Sequence, residues 1–558
     1  MPDHTVRQAL QAAIAQYQAG SPRAAEKLCR QVLSREPNNV DALNVLGGCL
    51  YQTGKLNEAI EVYQRIAALN PSLPEAHNNL GGCLQRNGRM VDAIAAFKTA
   101  IRLKGDFPVA KSNLAGAYFE WGKALSAGGK TAEALEAFQQ AVALKPDFIE
   151  ALDMIGQCLQ TLENFDGAVA AFQTIIRLKP DMFEAFNNLG IALQGKGQLD
   201  EAIASFRQAI GLKPDLAQAH NNLGAALREM GQLDEAIAAH RRAIQLKPEY
   251  AAAYFNLGNA LKDIGQFDEA IGLYRQAIRL TPDYAAAHNN LGNALEDIGQ
   301  LDEAIAIYRQ AIRLKPDGAM AHSNLVFALH YHPGYDAGMI CEEARRWNQQ
   351  HAEPLKKLIE PHTNDRDPDR RLRIGYVSPD FRQHCQALFT IPLLSNHDRE
   401  GFEIFCYADV GRPDAVTERI RGYSHVWRSI LGMTDAEVAR RIREDRIDIL
   451  VDLTMHMAKN RMLLFARKPP PVQAAWLAYP GTTGLSAMDY RLTDPYLDPP
   501  GLNDQFYSET TIRLPDTFWC YDPLVTEPAV NPLPAQTSGH VTFGCLNNFC
   551  KVNEPVLR

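Results

Sequence analysis

Two histidines stand where the chain can do chemistry. His384 lies in Ser378-Pro379-Asp380-Phe381-Arg382-Gln383-His384 and His456 in Asp452-Leu453-Thr454-Met455-His456-Met457, each in a segment that follows a short apolar run. An imidazole titrates closest to neutrality of all side chains, so it suits proton transfer at a reacting hydroxyl. Together with the loop Tyr479-Pro480-Gly481-Thr482-Thr483-Gly484, the pair is expected to form an active-site rim. Asp489, Asp494 and Asp498 lie in a proline-rich stretch with no histidine at ligand spacing, so they are expected to shape turns, not to bind a metal. There is neither a Gly-rich Walker loop nor a dinucleotide fingerprint, so any nucleotide is held in another way.

The elements that position these loops follow from the flanking pattern. Leu372-Arg373-Ile374-Gly375-Tyr376-Val377, Phe402 to Tyr407 and Ile447 to Asp452 read as strands, with a helix over Asp435 to Asp445 between the last two. Strands alternating with helices predict a parallel α/β sheet. Ligands of such sheets sit beyond the carboxyl ends of the strands, which singles out the loops after Val377 and Val451. A polar stretch from Glu360 to Arg371, rich in charge and proline, separates this region from what precedes it.

What precedes it is periodic. Proline recurs at Pro37 and Pro71, and again at Pro146, Pro180, Pro214, Pro248, Pro282 and Pro316, each step within a run being 34 residues. From Gly105, which takes the slot after Pro71, to Pro146 the interval is 41, so one repeat carries seven additional residues. Gly47, Gly81, Gly156, Gly190, Gly224, Gly258 and Gly292 mark a first helix. Asp-Glu-Ala-Ile after a Gly-Gln turn then starts a second helix, its acids favourable to the dipole. The proline stops that helix because it lacks an N–H and restricts the residue before it. This combination resembles the tetratricopeptide repeat over about residues 5 to 333, in roughly nine repeats, and implies a peptide-binding superhelix.

At one phase of the period stand Asn79, Asn113, Asn188, Asn222, Asn256, Asn290 and Asn324, interrupted by Val45 and Met154. Asparagine is not favoured inside helices, so its return asks for a reason. A carboxamide ladder facing the concave groove of such an array would bind the backbone of an extended peptide; the alternative is bonding only between neighbouring helices. His77, His220, His288 and His322 share another phase and are expected on the helix surface, lining or flanking the groove.

Composition removes other classes. A net charge of −8 argues against general nucleic-acid binding. With no charged-then-apolar leader and no run of about 18 apolar residues, the expectation is a cytoplasmic protein without a membrane span. The ten cysteines have neither CxxC nor zinc spacing and are expected to be small packed side chains.

The stretches Ile374 to His384, Asp452 to Arg461, Gln473 to Gly484 and Asp489 to Pro495, set behind a tetratricopeptide array, resemble the protein O-linked N-acetylglucosamine transferases and the related SPINDLY-type proteins. The resemblance implies a GT-B glycosyltransferase that moves N-acetylglucosamine from UDP-GlcNAc to Ser or Thr of proteins held by the repeat groove, with no metal or other cofactor. GDP-fucose is the alternative donor, and a peptide-binding adaptor with a vestigial catalytic segment the alternative function. Carried over by position, His384 matches the first-lobe active-site histidine and His456 the Gly-His-Thr-like loop, here Met455-His456-Met457. In Phe543 to Lys551, Asn548 falls on a polar amide near the nucleotide and Lys551 on the lysine that neutralises the donor diphosphate. An ammonium aimed at a leaving diphosphate can replace a divalent cation. Cys385-Gln386 departs from the small or proline residues usual in the family.

The expected organisation is therefore an all-α tetratricopeptide superhelix over 1–333, a helical and charged linker over 334–371, a Rossmann-like first lobe of GT-B over 372–540, and the start of a nucleotide-binding second lobe over 541–558. Since a second lobe needs on the order of 150 residues, the expectation is that most of it is absent here, that the sequence is incomplete, and that these 558 residues alone are inactive.

Overall fold

In a computed structural model, residues 4–367 and 369–522 are described. Two compact units divide between Pro248 and Glu249. Within the first, the described residues form seven antiparallel helix pairs, from His4–Gln18 to Leu233–Leu246. Each pair is one repeat, and its packing is written in a glycine and a ring sixteen residues later. A Cβ on Gly190 would lie 2.6 Å from the Phe206 ring, and Gly47, Gly81, Gly122 and Gly224 meet Tyr63, Phe97, Phe138 and His240 in the same way. The first helix thus has no side chain where the second inserts its ring, and Phe97, Phe138, Phe172 and Phe206 are fully buried.

The turn between the two helices of a repeat uses a left-handed residue, Gly197 (φ +79°) for example, and where the sequence has no glycine Glu163 is driven to φ +57°. The long repeat places its seven additional residues inside one helix, Pro108–Ala127, 20 residues long where Pro74–Arg86 and Ile149–Thr161 have 13. Seven residues are close to two turns, so the helix lengthens with its faces in phase.

The second unit opens with two more helix pairs, Ala251–Asp263 with Phe267–Leu280 and Ala285–Asp297 with Leu301–Leu314, followed by Ala319–Leu329 and Ala337–Trp347. Gly258 and Gly292 repeat the contact against Tyr274 and Tyr308. The last two helices lie on the α/β sheet, because Val326, Ala344 and Trp347 belong to the same buried cluster as Val377, Phe405, Tyr407 and Leu450. The helical start of the expected linker is therefore packed against the sheet, and its charged end is tied down: Arg370 donates to both Asp448 oxygens at 2.6 and 2.7 Å, and Asn364 adds a bond of 2.7 Å.

Among the described residues the sheet is parallel throughout and has seven strands: β1 (Leu372–Ser378), β2 (Phe402–Ala408), β3 (Val426–Ser429), β4 (Ile449–Asp452), β5 (Val472–Ala475), β6 (Tyr490–Thr493) and β7 (Thr510–Arg513). Their order is β3-β2-β1-β4-β5-β6-β7. Alternation along a strand splits the core: Phe405 and Tyr407 join one buried cluster, while Ile404, Cys406 and Ala408 join the other. The order reverses direction between β1 and β4, paired with Val377 opposite Asp452. A doubly wound sheet opens a crevice at such a point, beyond the carboxyl ends of the two strands.

Candidate functional site

Both expected loops leave the sheet at this reversal, the one with His384 from β1 and the one with His456 from β4. Buried Gln386 ties them, donating from Nε2 to the Leu453 carbonyl at 2.6 Å. The β1 loop is held from beneath: Phe381 is fully buried, and the Gln383 N–H donates to Asp414 at 2.7 Å. Asp414 also caps the helix Ala415–Tyr423, so the loop and that helix end are fixed by one carboxylate.

His384 keeps about a third of its side chain exposed, with Nδ1 3.8 Å from the Asp380 carboxylate and the Cys385 sulfur at 3.8 and 3.9 Å from the two ring nitrogens. The Cys385 thiol raises the His384 pKa above its ordinary value, burial opposes this, and Asp380 adds to the rise. The same contact lowers Cys385. Nδ1 accepts the Gln386 N–H at 3.3 Å, so the neutral ring carries its proton on Nε2. The arrangement leaves a half-exposed imidazole on the loop that follows β1 at the strand-order reversal.

His456 corrects the expectation that it lines the rim. It is fully buried, with Nε2 donating to the Thr483 carbonyl at 2.7 Å, Nδ1 3.2 Å from the Ser323 hydroxyl, and its ring edge against Trp347 at 4.9 Å. Burial pushes its pKa down to about 3, so the ring is neutral. The cause is the backbone. Asp452 accepts the N–H groups of Thr454 and Met455 at 3.1 and 2.7 Å, curling the chain, and Met455 takes φ +47°. The next side chain then points to the helices 319–329 and 337–347. A glycine, as in the family's Gly-His-Thr loop, adopts that φ without strain. His456 therefore pins the β4 loop, the 479–484 loop and the helices together.

Three positioning residues went unnoticed in the sequence. Arg461 donates to Asp409 and Asp435, both at 3.0 Å, joining the β4 loop to the ends of two other elements. Buried Glu509 accepts from the Thr482 hydroxyl and the Thr483 N–H, each at 2.7 Å, and buried Gln473 donates to the carbonyls of Phe465 and Ala487. Arg461 and Gln473 lie inside the quoted motif stretches, but nothing near Glu509 marks it. Of the three aspartates expected to shape turns, Asp494 does so, while Asp489 and Asp498 are held in ion pairs. Asp489 pairs with Lys468 at 2.6 Å, Asp494 accepts three backbone N–H groups, and Asp498 pairs with Arg491 at 2.6 Å. Asn548 and Lys551 lie outside the described residues.

In the repeats the amide series is a bonded ladder. Asn113 donates to Asn78 at 2.9 Å, Asn188 to Asp153 at 3.1 Å, Asn222 to Asn187 at 3.0 Å and Asn324 to Asn289 at 2.9 Å, each spanning 35 residues into the preceding repeat. Asn79 reaches Asn44 at 3.5 Å, and Asn290 donates to Asn259 at 2.8 Å. Inter-repeat bonding thus accounts for one N–H of these amides. Asn79, Asn113, Asn188, Asn222, Asn256 and Asn290 are only half-buried, whereas Asn324 is buried. The histidine phase meets the surface expectation at His77 and His220, which are partly exposed, and departs from it at His288 and His322. His77, His220 and His288 bond the carbonyls of Pro71, Pro214 and Pro282, six residues back, and His288 and His322 are buried. His77, His220 and His288 thus satisfy the proline carbonyl in the turn between repeats, whereas His322 bonds His351 and Glu343.

A repeat array joined to a parallel, doubly wound sheet with its crevice at the strand-order reversal defines the class. Residues 346–526 match the family described as glycosyl transferase family 41, and tetratricopeptide repeat families match 10–74, 119–183 and 255–319, as well as 72–147 and 215–283. Residues 346–526 thus resemble the glycosyl transferase family 41 region, with tetratricopeptide repeats ahead of it. It is 43% identical over 199 residues to a probable UDP-N-acetylglucosamine–peptide N-acetylglucosaminyltransferase SPINDLY of Petunia hybrida, over 35% of this chain and 21% of that protein. The corresponding SEC protein of Arabidopsis thaliana is 33% identical, over 27% of this chain and 16% of its own. A solved mutant of the Thermobaculum terrenum O-GlcNAc transferase aligns with a TM-score of 0.56 and 37% identity, covering 61% of this chain and 64% of that one. The chain spans about a fifth of the length of the SPINDLY relative. Among the described residues no helix is long and apolar enough to cross a membrane.

Proposed function

We propose that the chain carries the acceptor-binding repeats and the first lobe of a GT-B protein O-glycosyltransferase that uses UDP-GlcNAc. The observation that carries this reading is the family 41 match over the same segment whose crevice holds His384 at the strand-order reversal. In the transfer, the Ser or Thr oxygen bonds to the anomeric carbon, the bond from that carbon to the diphosphate breaks, and the hydroxyl proton leaves. His384 orients the reacting groups and handles that proton. His456 acts as a positioning residue that fixes the loop, and Lys551 with Asn548 receives the diphosphate. The half-exposed amides of the repeats hold extended acceptor segments by their backbone.

GDP-fucose is the alternative donor. The test is sugar transfer to an acceptor protein from either donor, read by mass spectrometry, in a polypeptide that carries the whole second lobe. His384→Asn and Lys551→Ala should each lower turnover by about 10²-fold or more, the scale of losing one acid–base or charge-stabilising group. Near-normal transfer by both variants overturns the assignment and leaves the adaptor reading.

A further inference from the structure

Between Asn79 and Asn222 the amide ladder breaks at one rung. Where other repeats have an asparagine, Met154 stands, and 35 residues before it, in place of a polar acceptor, is Phe119. This is also where the array is irregular, because Phe119 lies in the two-turn-longer helix Pro108–Ala127. That helix serves two registers: Asn113 bonds upstream to Asn78, while Gly122 receives the Phe138 ring seven residues after Ala115, where upstream spacing would put the glycine.

At this break the surface opens into a cavity of about 830 Å³ whose apolar part is formed by Phe119, Ile149, Met154 and Met182. Its volume is that of a ligand pocket. Its charge is unbalanced. Asp147, Glu150 and Asp153 line it, and none of the three is in an ion pair among the described residues. Of its two lysines, Lys123 is already held by Glu120 at 3.1 Å, which leaves Lys179 against three carboxylates. The Asp153 carboxylate accepts only neutral donors, Asn188 at 3.1 Å and Gln157 at 2.6 Å. Burial raises its pKa from the ordinary value, a cost that an incoming cation relieves.

We propose that this cavity is a side-chain-selective anchor in an otherwise backbone-reading surface, and that it takes a polypeptide segment with a large apolar residue next to a lysine or arginine. The apolar side chain fills the space over Phe119 and Met154, and the adjacent cation meets Asp153 and its acidic neighbours. The inference rests on the reading that the repeats bind acceptor polypeptides, and it adds a sequence preference that an amide ladder alone does not give.

The test uses the full chain and two labelled 12-residue peptides of Ser, Thr, Ala and Val, one with a central Leu-Arg and one with Ser-Glu in its place, titrated by fluorescence polarisation. The Leu-Arg peptide should bind about tenfold tighter or better. The double variant Asp153→Asn/Met154→Asn installs the Asn-Asn pair that folds at 78–79, 187–188 and 221–222. It should bring the two affinities within about twofold while leaving the Ser-Glu peptide unchanged, with helical circular dichroism intact. Equal affinities for the parent chain, or discrimination that survives in the double variant, overturn the anchor and leave the groove reading standing. Failure of the parent to bind either peptide overturns both.

Discussion

His240 is the one imidazole among the buried rings that receive the repeat glycines, and it makes the first unit acid-sensitive in a measurable way. Its ring lies over Gly224 with no exposure, Nδ1 is 3.1 Å from the Asn221 side-chain oxygen, and Nε2 has no hydrogen-bond partner among the described residues. Burial first, and the nearby Arg228 charge second, push its pKa down to about 4 from 6.5. Because the folded pKa is the lower one, the unfolded chain binds the proton more readily. Stability is then complete above about pH 6.5 and is lost as the pH falls towards 4. The gap amounts to roughly 3 kcal/mol at full protonation and about 2 kcal/mol at pH 5.

The perturbation is His240→Phe, which puts at this position the residue found at Phe138, Phe172 and Phe206. At pH 7 the variant should be more stable by about 1 kcal/mol, since a buried ring nitrogen without a partner disappears at the cost of one bond to Asn221. Between pH 7 and pH 5 the parent should lose about 2 kcal/mol more than the variant. Repeat arrays do not unfold in one step, so the assay is amide hydrogen exchange across residues 217–246, corrected for intrinsic pH dependence. The reasoning fails if parent and variant lose protection equally, or if the His240 ring titrates near 6.5 by nuclear magnetic resonance.

Two further substitutions test the backbone account. Glu163→Gly relieves the φ +57° turn of an exposed residue and should stabilise that repeat by about 1 kcal/mol; a lower urea midpoint would contradict it. Met455→Gly relieves φ +47° but empties a buried site, and because losing a buried methionine side chain costs about 2–5 kcal/mol against about 1–2 kcal/mol of relief, the variant should melt earlier than the parent.

The repeats were legible because their signal is redundant. A glycine, an acidic helix start and a stop proline each return every 34 residues, and the ring that fills each glycine's space lies in the same repeat. What escaped notice depends on the neighbouring repeat. Most ladder amides donate 35 residues back, so a residue judged by its own helix looks free when one of its N–H groups is committed, and His77, His220 and His288 bond the proline carbonyl six positions before them. The strands divided in the same way. β1 and β2, with seven residues each, stood out as apolar runs, and the four-residue β4 did so as the end of the run Ile447 to Asp452, whereas β3, β5, β6 and β7 have four residues each, too few by themselves to display a period of two.

The candidate site was half legible, for a specific reason. Its location needed only the rule that strand ends at a reversal of order carry ligands, and Val377 and Val451 mark both strands. The direction in which a side chain leaves its loop needed the backbone angle at Met455 and the helices 319–329 and 337–347, which belong to what the sequence divides into the repeats and a linker. Trp347 and Ser323 take up the His456 ring, while nothing comparable covers His384 among the described residues. Two histidines equivalent in the sequence are thus separated by burial into a neutral pin and a half-exposed imidazole, and only the second has the access that the proposed transfer to a bound hydroxyl demands.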